Sequence, residues 1–108
     1  MANKEAFIQA IKSGYSFKGE SVQIGAAMLD GEVIADAPVS LPLKTMNRHG
    51  LIAGATGTGK TKTLQMISEF LSDASVPVLL MDIKGDLSGI AAAGSMNEKV
   101  TDRYRKLN

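Results

Sequence analysis

One segment of the chain places glycines, a lysine and a threonine at the spacing of a phosphate-binding loop. Residues 54–61 match the pattern G-x-x-x-x-G-K-[ST] at every fixed position. Glycines in such a loop allow positive φ and a close approach of the backbone to a ligand, and the loop amides, a helix N-terminus and a lysine ammonium together favour an anion. The sequence therefore predicts binding of a phosphate-bearing ligand. The predicted binding residues are Gly54, Ala55, Thr56, Gly57, Thr58, Gly59, Lys60, Thr61 and Lys62.

Two side chains of this loop are expected to carry the chemistry. Lys60 is expected to reach the β and γ phosphates of a nucleotide and is the predicted catalytic residue. Thr61 offers a hydroxyl to Mg²⁺, which prefers hard oxygen ligands and normally arrives with the nucleotide. The alternative is a glycine-rich turn before a surface helix, and the position of the motif between a predicted strand and a predicted helix disfavours it.

Acidic residues follow the second apolar run of this region. Asp82 comes directly after residues 76–81 and is the second predicted Mg²⁺ ligand. Ligands of open α/β sheets bind at the carboxyl ends of the strands, so we expect Asp82 at the same edge as the loop. The alternatives are that Asp82 only ends a buried strand and that residues 84–86 form a turn. His49, the single histidine, is expected to make a structural hydrogen bond, with a phosphate or base contact as the alternative.

The apolar pattern around the loop predicts one βαβ unit. A short apolar run at 51–53 precedes the loop, a helical pattern starts at about Lys60, and residues 76–81 have the composition of a parallel strand buried on both faces. The predicted fold class is α/β, with the first βαβ unit of a parallel sheet. A three-layer α/β domain needs several parallel strands and helices on both faces, so the domain is expected to be incomplete.

The first 45 residues predict a short helix and a β-hairpin, without a catalytic pattern. Asn3 is expected to cap a helix that ends at Gly14. Period-two alternation from Ser21 and the turn Asp30-Gly31 predict the hairpin. Near the end of the chain, Asn97 is expected to cap a last helix. We therefore divide the chain into residues 1–45, the helix and hairpin, and 46–108, the start of a nucleotide-binding domain.

Composition excludes several classes of function. The chain has 108 residues, 12 Lys and Arg against 11 Asp and Glu, and no Cys. A net charge of +1 provides no overall field to hold nucleic acid, and the lack of cysteine excludes disulfides, zinc–thiolate sites and thiol nucleophiles. No apolar run approaches the roughly 18 residues of a membrane helix. We expect one cytoplasmic domain without a membrane partner.

Beyond the loop itself, two further segments carry a family resemblance. Residues 43–94 resemble the start of a bacterial HerA-like ATPase, of the HerA and FtsK group of RecA-like P-loop motor ATPases, and residues 4–42 do so more weakly. The segments that carry the resemblance are Asn47-Arg48-His49, the loop, and Asp82-Ile83-Lys84-Gly85-Asp86.

The resemblance implies ATP and Mg²⁺ binding by residues 54–61, a homo-oligomeric ring and a motor role on DNA. It also implies that Asp82 and Asp86 belong to an acidic segment close to the nucleotide and are not the Walker B pair. On this basis the chain is interpreted as the ATP-binding N-terminal portion of such a protein. No later Asp-Glu strand end, polar sensor or arginine finger is present in the sequence, so the chain alone is expected to be inactive. The alternatives are a fragment of a small-molecule or nucleotide kinase, and a non-catalytic nucleotide-binding module.

Overall fold

The computed structural model describes residues 3–107. The helices and strands follow in the order α1 (Lys4–Gly14), β1 (Ser21–Leu29), β2 (Glu32–Pro42), α2 (Lys60–Asp73) and α3 (Glu98–Leu107), with a short 3-10 helix at Leu43–Thr45. An irregular region between the 3-10 helix and α2 contains most of the phosphate-loop pattern. A second irregular region, between α2 and α3, contains the acidic segment.

Asparagine side chains begin the first and last helices. Asn3 Oδ1 accepts a hydrogen bond from the Ala6 amide at 3.2 Å, and Asn97 Oδ1 accepts one from the Val100 amide at 3.0 Å. Each side chain satisfies one of the amides that a helix N-terminus leaves without an intrahelical partner. Both helices begin where the sequence predicts.

The hairpin holds the small core of the described residues. β1 and β2 are antiparallel, with Ser21 opposite Pro42 and Leu29 opposite Glu32. Asp30 (φ 51°) and Gly31 (φ 81°) form the turn, and two positive φ values match the twist of a tight hairpin. The buried residues of this cluster are Ala27, Ile34 and Ala37, against which α1 packs Phe7, Ile8 and Ile11.

The predicted parallel sheet is wrong. The sheet in residues 3–107 is two-stranded and antiparallel, and neither 51–53 nor 76–81 forms a strand. A strand exists only through its ladder with a neighbour, and in the described residues no backbone–backbone hydrogen bond involves 51–53 or 77–83. An apolar run indicates a tendency to burial but does not supply a partner, so the assignment to a βαβ unit of an α/β parallel sheet fails.

Most of the second apolar run is exposed to solvent. Val78 and Leu80 line a groove of about 260 Å³ with α2 residues Ser68 and Ser72. Leu79 is 88% exposed and Met81 85% exposed, against the prediction of burial on both faces. Within residues 3–107, none of the helices combines the length and the apolar character needed to cross a lipid bilayer.

Candidate phosphate-binding site

The glycines of the loop serve two different physical needs. Gly57 (φ 82°) and Gly59 (φ 97°) adopt the left-handed conformation, which L side chains rarely take. Gly54 is required for space, because a Cβ there would lie 2.6 Å from Thr58 Oγ1. Gly59 is also the N-cap residue of α2, so the loop leads directly into the helix.

One carbonyl oxygen organises the loop. The Ala55 carbonyl accepts hydrogen bonds from the Thr58 amide at 3.3 Å, from Thr58 Oγ1 at 2.6 Å and from Lys60 Nζ at 2.9 Å. The Lys60 ammonium is therefore held over the loop. The sequence motif predicts that Lys60 belongs to the site, but it contains no signal for the role of the Ala55 carbonyl.

The N-terminus of α2 differs electrostatically from those of the other two long helices. α1 and α3 each begin with an asparagine cap and have a glutamate in the first turn. α2 has no side-chain cap and no acidic residue in its first turn, and it begins with Lys60 and Lys62. A cation near a helix N-terminus is unfavourable by about 0.3–1 kcal/mol at the surface, so the first turn of α2 is arranged against the usual preference.

Thr61 and Lys62 lie in the first turn of α2 and are exposed. The Lys62 ammonium donates to Gln65 Oε1 at 3.1 Å, along the helix. Thr61 lines a cavity of about 330 Å³ together with Gly50, Ile52, Lys60 and Leu64. The structure therefore places Lys60 and Thr61, the two side chains with predicted chemistry, beside the same open space.

Asp82 organises the acidic loop that follows it. Its Oδ1 accepts from the amides of Gly85 at 2.9 Å and Asp86 at 3.1 Å, and its Oδ2 accepts from the Leu87 amide at 3.0 Å. Gly85 has a φ of 80°, so residues 84–86 form the turn that the sequence leaves as an alternative. The assignment of Asp82 as a Mg²⁺ ligand stays a prediction.

One side chain connects the acidic loop to α2. Gln65 Nε2 donates to the Asp86 carbonyl at 3.3 Å, and Leu87 beside it is buried. Gln65 lies five residues after Lys60, about 7 Å along the helix axis. The structure thus brings the acidic loop beside the first half of α2. Sequence reasoning misses Gln65, since a bond across 21 positions leaves no local pattern.

The last candidate residue from the sequence is His49. His49 is exposed, and its predicted structural hydrogen bond stays a prediction. Among residues 3–107, no group of three or more His, Asp or Glu side chains lies close enough together to hold a metal ion.

Comparison with known proteins assigns the family. The family model described as the helicase HerA-like C-terminal domain matches residues 28–108. The chain belongs to this family. Over 83 residues the HerA-like chain is 34% identical to the DNA double-strand break repair helicase HerA of Saccharolobus solfataricus. The alignment covers 77% of this chain and 15% of that protein. No solved structure matches the HerA-like chain significantly.

The family match corrects the predicted function. The phosphate-loop pattern lies inside the match to a C-terminal family model, so the interpretation as the ATP-binding N-terminal portion of a motor ATPase is wrong. A fragment of a small-molecule or nucleotide kinase or a non-catalytic nucleotide-binding module is not supported either, because the family is one of HerA-like helicases. A local motif specifies a type of loop but contains no information about its position in a longer polypeptide. The bacterial origin stays a prediction.

Proposed function

We propose that residues 54–62 of this HerA-like chain bind the phosphates of a magnesium–nucleotide complex, and that ATP is the nucleotide. The observation that carries this proposal is the first turn of α2, which combines an uncapped N-terminus with the ammonium groups of Lys60 and Lys62. An anion bound there gives the free amides an acceptor and neutralises the lysines.

The other two long helices support this reading by contrast. In α1 and α3 an asparagine oxygen and a glutamate perform the same two tasks, acceptor and negative charge. In α2 both are replaced by a loop in which Gly57 and Gly59 have positive φ and Gly54 leaves room beside Thr58. Such a loop brings backbone amides close to phosphate oxygens without side chains in the way.

Magnesium is expected to bind together with the nucleotide. Thr61 has an exposed hydroxyl at the helix start, and the Asp82 carboxylate has about four acceptor positions, of which three are occupied by loop amides. These two residues alone form an incomplete coordination shell for Mg²⁺. Phosphate oxygens and water therefore have to provide the remaining ligands.

The matched relative suggests a role for nucleotide binding at the loop. The matched relative is named as a DNA double-strand break repair helicase, and the chain spans only 15% of its length. We propose that nucleotide binding at the loop belongs to an ATP-driven action on DNA by a homo-oligomeric ring in the cytoplasm. The chain's own net charge of +1 does not provide a general attraction for DNA, so DNA contacts are expected to be local or to come from other parts of the ring.

The test is a titration of the chain with Mg-ATP by calorimetry. Lys60→Ala removes a charge-assisted contact worth about 1.5–3 kcal/mol, so the affinity should fall roughly 10- to 150-fold. Lys99→Ala is the matched control, because Lys99 lies in the first turn of the asparagine-capped helix α3 and should have no effect. Far-UV circular dichroism should be the same for all three proteins.

Equal affinity of the wild type and Lys60→Ala, or an equal loss in both lysine variants, would contradict the proposal. The same titration with inorganic triphosphate separates recognition of phosphates from recognition of the base. Because the loop provides only phosphate contacts, triphosphate with Mg²⁺ should compete with ATP.

A further inference from the structure

One glutamine of α2 forms hydrogen bonds with two partners that differ in chemistry. Gln65 Oε1 accepts from the Lys62 ammonium at 3.1 Å, and Gln65 Nε2 donates to the Asp86 carbonyl at 3.3 Å. An ammonium only donates and a carbonyl only accepts, so the side chain between them needs both an acceptor and a donor. A side-chain amide has these on two separate atoms, and Gln65 therefore bridges Lys62 and Asp86.

The Asp86 end of this bridge belongs to a loop with hydrogen bonds of its own. The Asp86 amide donates to Asp82 Oδ1 at 3.1 Å, and the neighbouring Leu87 is buried. Within residues 3–107, the bond from Gln65 is the one hydrogen bond that joins α2 to residues 82–87. Gln65 is therefore the polar link between the acidic loop and the helix that follows the phosphate loop.

The Lys62 end of the bridge is directed away from the start of α2. Gln65 lies three residues after Lys62, about 4.5 Å farther along the helix axis, whereas an anion at the phosphate loop would lie before the first turn. The Lys62 side chain is exposed and its stem is flexible, so its ammonium can turn to either side. When the ammonium turns to an anion, it leaves Gln65 Oε1. The anion and Gln65 therefore compete for Lys62.

We propose that Gln65 is a positioning residue that couples phosphate binding at the loop to the acidic loop, an inference that rests on the proposed function. In the free chain, Lys62 and the Asp86 carbonyl hold the Gln65 amide in one orientation. A phosphate anion that takes Lys62 removes one of these two restraints, and the bond between Gln65 and Asp86 weakens. Because coupling between two sites is reciprocal, the intact bridge also lowers the affinity for phosphate.

The experiment follows two NMR signals of the chain while inorganic triphosphate is added without Mg²⁺. The signals are the side-chain amide of Gln65 and the backbone amide of Leu87, which shares a peptide unit with the Asp86 carbonyl. In the wild type, saturating triphosphate should shift both signals. Lys62→Ala should produce the same shifts before any triphosphate is added. Triphosphate should then cause no further change at these two signals, although it still binds through Lys60.

Affinity for triphosphate provides a second measurement, with opposite signs for two variants. Gln65→Met removes both bonds without adding a charge and releases Lys62, so the affinity should rise about 1.5- to 2-fold. Gln65→Glu keeps an acceptor that holds Lys62 more strongly, so the affinity should fall. Both variants lose the donor to Asp86, so a merely structural role would change the affinity in the same direction in both.

Two controls separate the bridge from other effects of these substitutions. In the Lys62→Ala background, Gln65→Met should leave the affinity for triphosphate unchanged, because no ammonium remains to be released. Gln9→Met is the matched control on α1, where Gln9 Nε2 donates to Glu5 Oε1 at 3.2 Å, and it should also have no effect.

The possible outcomes distinguish this coupling from phosphate binding itself. Shifts at residues 54–61 with no change at Gln65 and Leu87 would overturn the coupling and leave the phosphate-binding proposal intact. Shifts of wild-type size on addition of triphosphate to Lys62→Ala would overturn the coupling too, because they would come from the anion directly. A change of affinity of the same sign in Gln65→Met and Gln65→Glu would also overturn it. No shift at residues 54–61 would contradict the proposed function and, with it, the coupling.

Discussion

Gly54→Ala is expected to disturb the phosphate-binding loop through one atom, the hydroxyl oxygen of Thr58. The added Cβ would lie 2.6 Å from Thr58 Oγ1, closer than carbon and oxygen approach without a shift. The hydroxyl can rotate away, but it then loses its 2.6 Å hydrogen bond to the Ala55 carbonyl. The rotation relieves the clash, but it breaks the hydrogen bond between Thr58 and Ala55 that closes the loop.

Two contributions of opposite sign determine the stability change. Loss of a typical intramolecular hydrogen bond costs about 0.5–1.5 kcal/mol. Gly54 has no positive φ, so alanine also stabilises by about 0.4–1 kcal/mol through the reduced entropy of the unfolded chain. The net change in the free energy of unfolding should therefore stay within about 1 kcal/mol, and the single variant is not informative by itself.

A double-mutant cycle with Thr58→Ala isolates the contact. Without the hydroxyl the clash and the hydrogen bond both disappear, so Gly54→Ala should be stabilising in that background. The coupling free energy, measured by urea unfolding followed by circular dichroism, should be about 0.5–1.5 kcal/mol. Gly57→Ala is the control, because its positive φ imposes a cost of about 1–2 kcal/mol that should be equal in both backgrounds.

The reasoning would be refuted by a coupling free energy indistinguishable from zero for Gly54 and Thr58. That result would mean that Gly54→Ala has the same effect whether or not the hydroxyl is present. Coupling of equal size between Gly57 and Thr58 would also count against it, since the coupling would then not be specific to the contact at Gly54.

Three further predictions concern the surroundings of the loop. Asp82→Asn leaves one acceptor oxygen where three amides now bind, so amide exchange of Gly85–Leu87 should rise by about tenfold or more, and unchanged protection by NMR would contradict the assignment. Asn97→Ala should lower the stability of α3 by about 1 kcal/mol, which should appear as a weaker helical signal in circular dichroism. A signal equal to that of the wild type would mean that the cap is dispensable. The chain alone should not hydrolyse ATP at about 1 per second or faster, because phosphoryl transfer also needs an acid that orients water and an arginine that neutralises the developing charge, and turnover abolished by Lys60→Ala would disprove this.

Local chemistry in the sequence determined the elements that depend only on neighbouring residues. The asparagine caps at Asn3 and Asn97, the Asp30-Gly31 turn and the start of α2 at Lys60 all lie where the pattern predicts. Each of these features is stabilised by contacts within a few positions along the chain, so its signal is complete in a short window. The phosphate-loop pattern belongs to the same category, and its ligand role stays a prediction.

Tertiary structure decided everything that needs a partner far along the chain. The runs at 51–53 and 76–81 have strand composition, but a ladder requires a neighbour, and the described residues provide none, so Leu79 stays bare where burial was predicted. Gln65 donates a hydrogen bond to the Asp86 carbonyl across 21 positions of sequence. The carboxylate oxygens of Asp82, which the sequence predicts as a Mg²⁺ ligand, accept hydrogen bonds from backbone amides. A sequence records which side chains favour burial or hydrogen bonding, whereas only the folded chain determines which partner each of them meets.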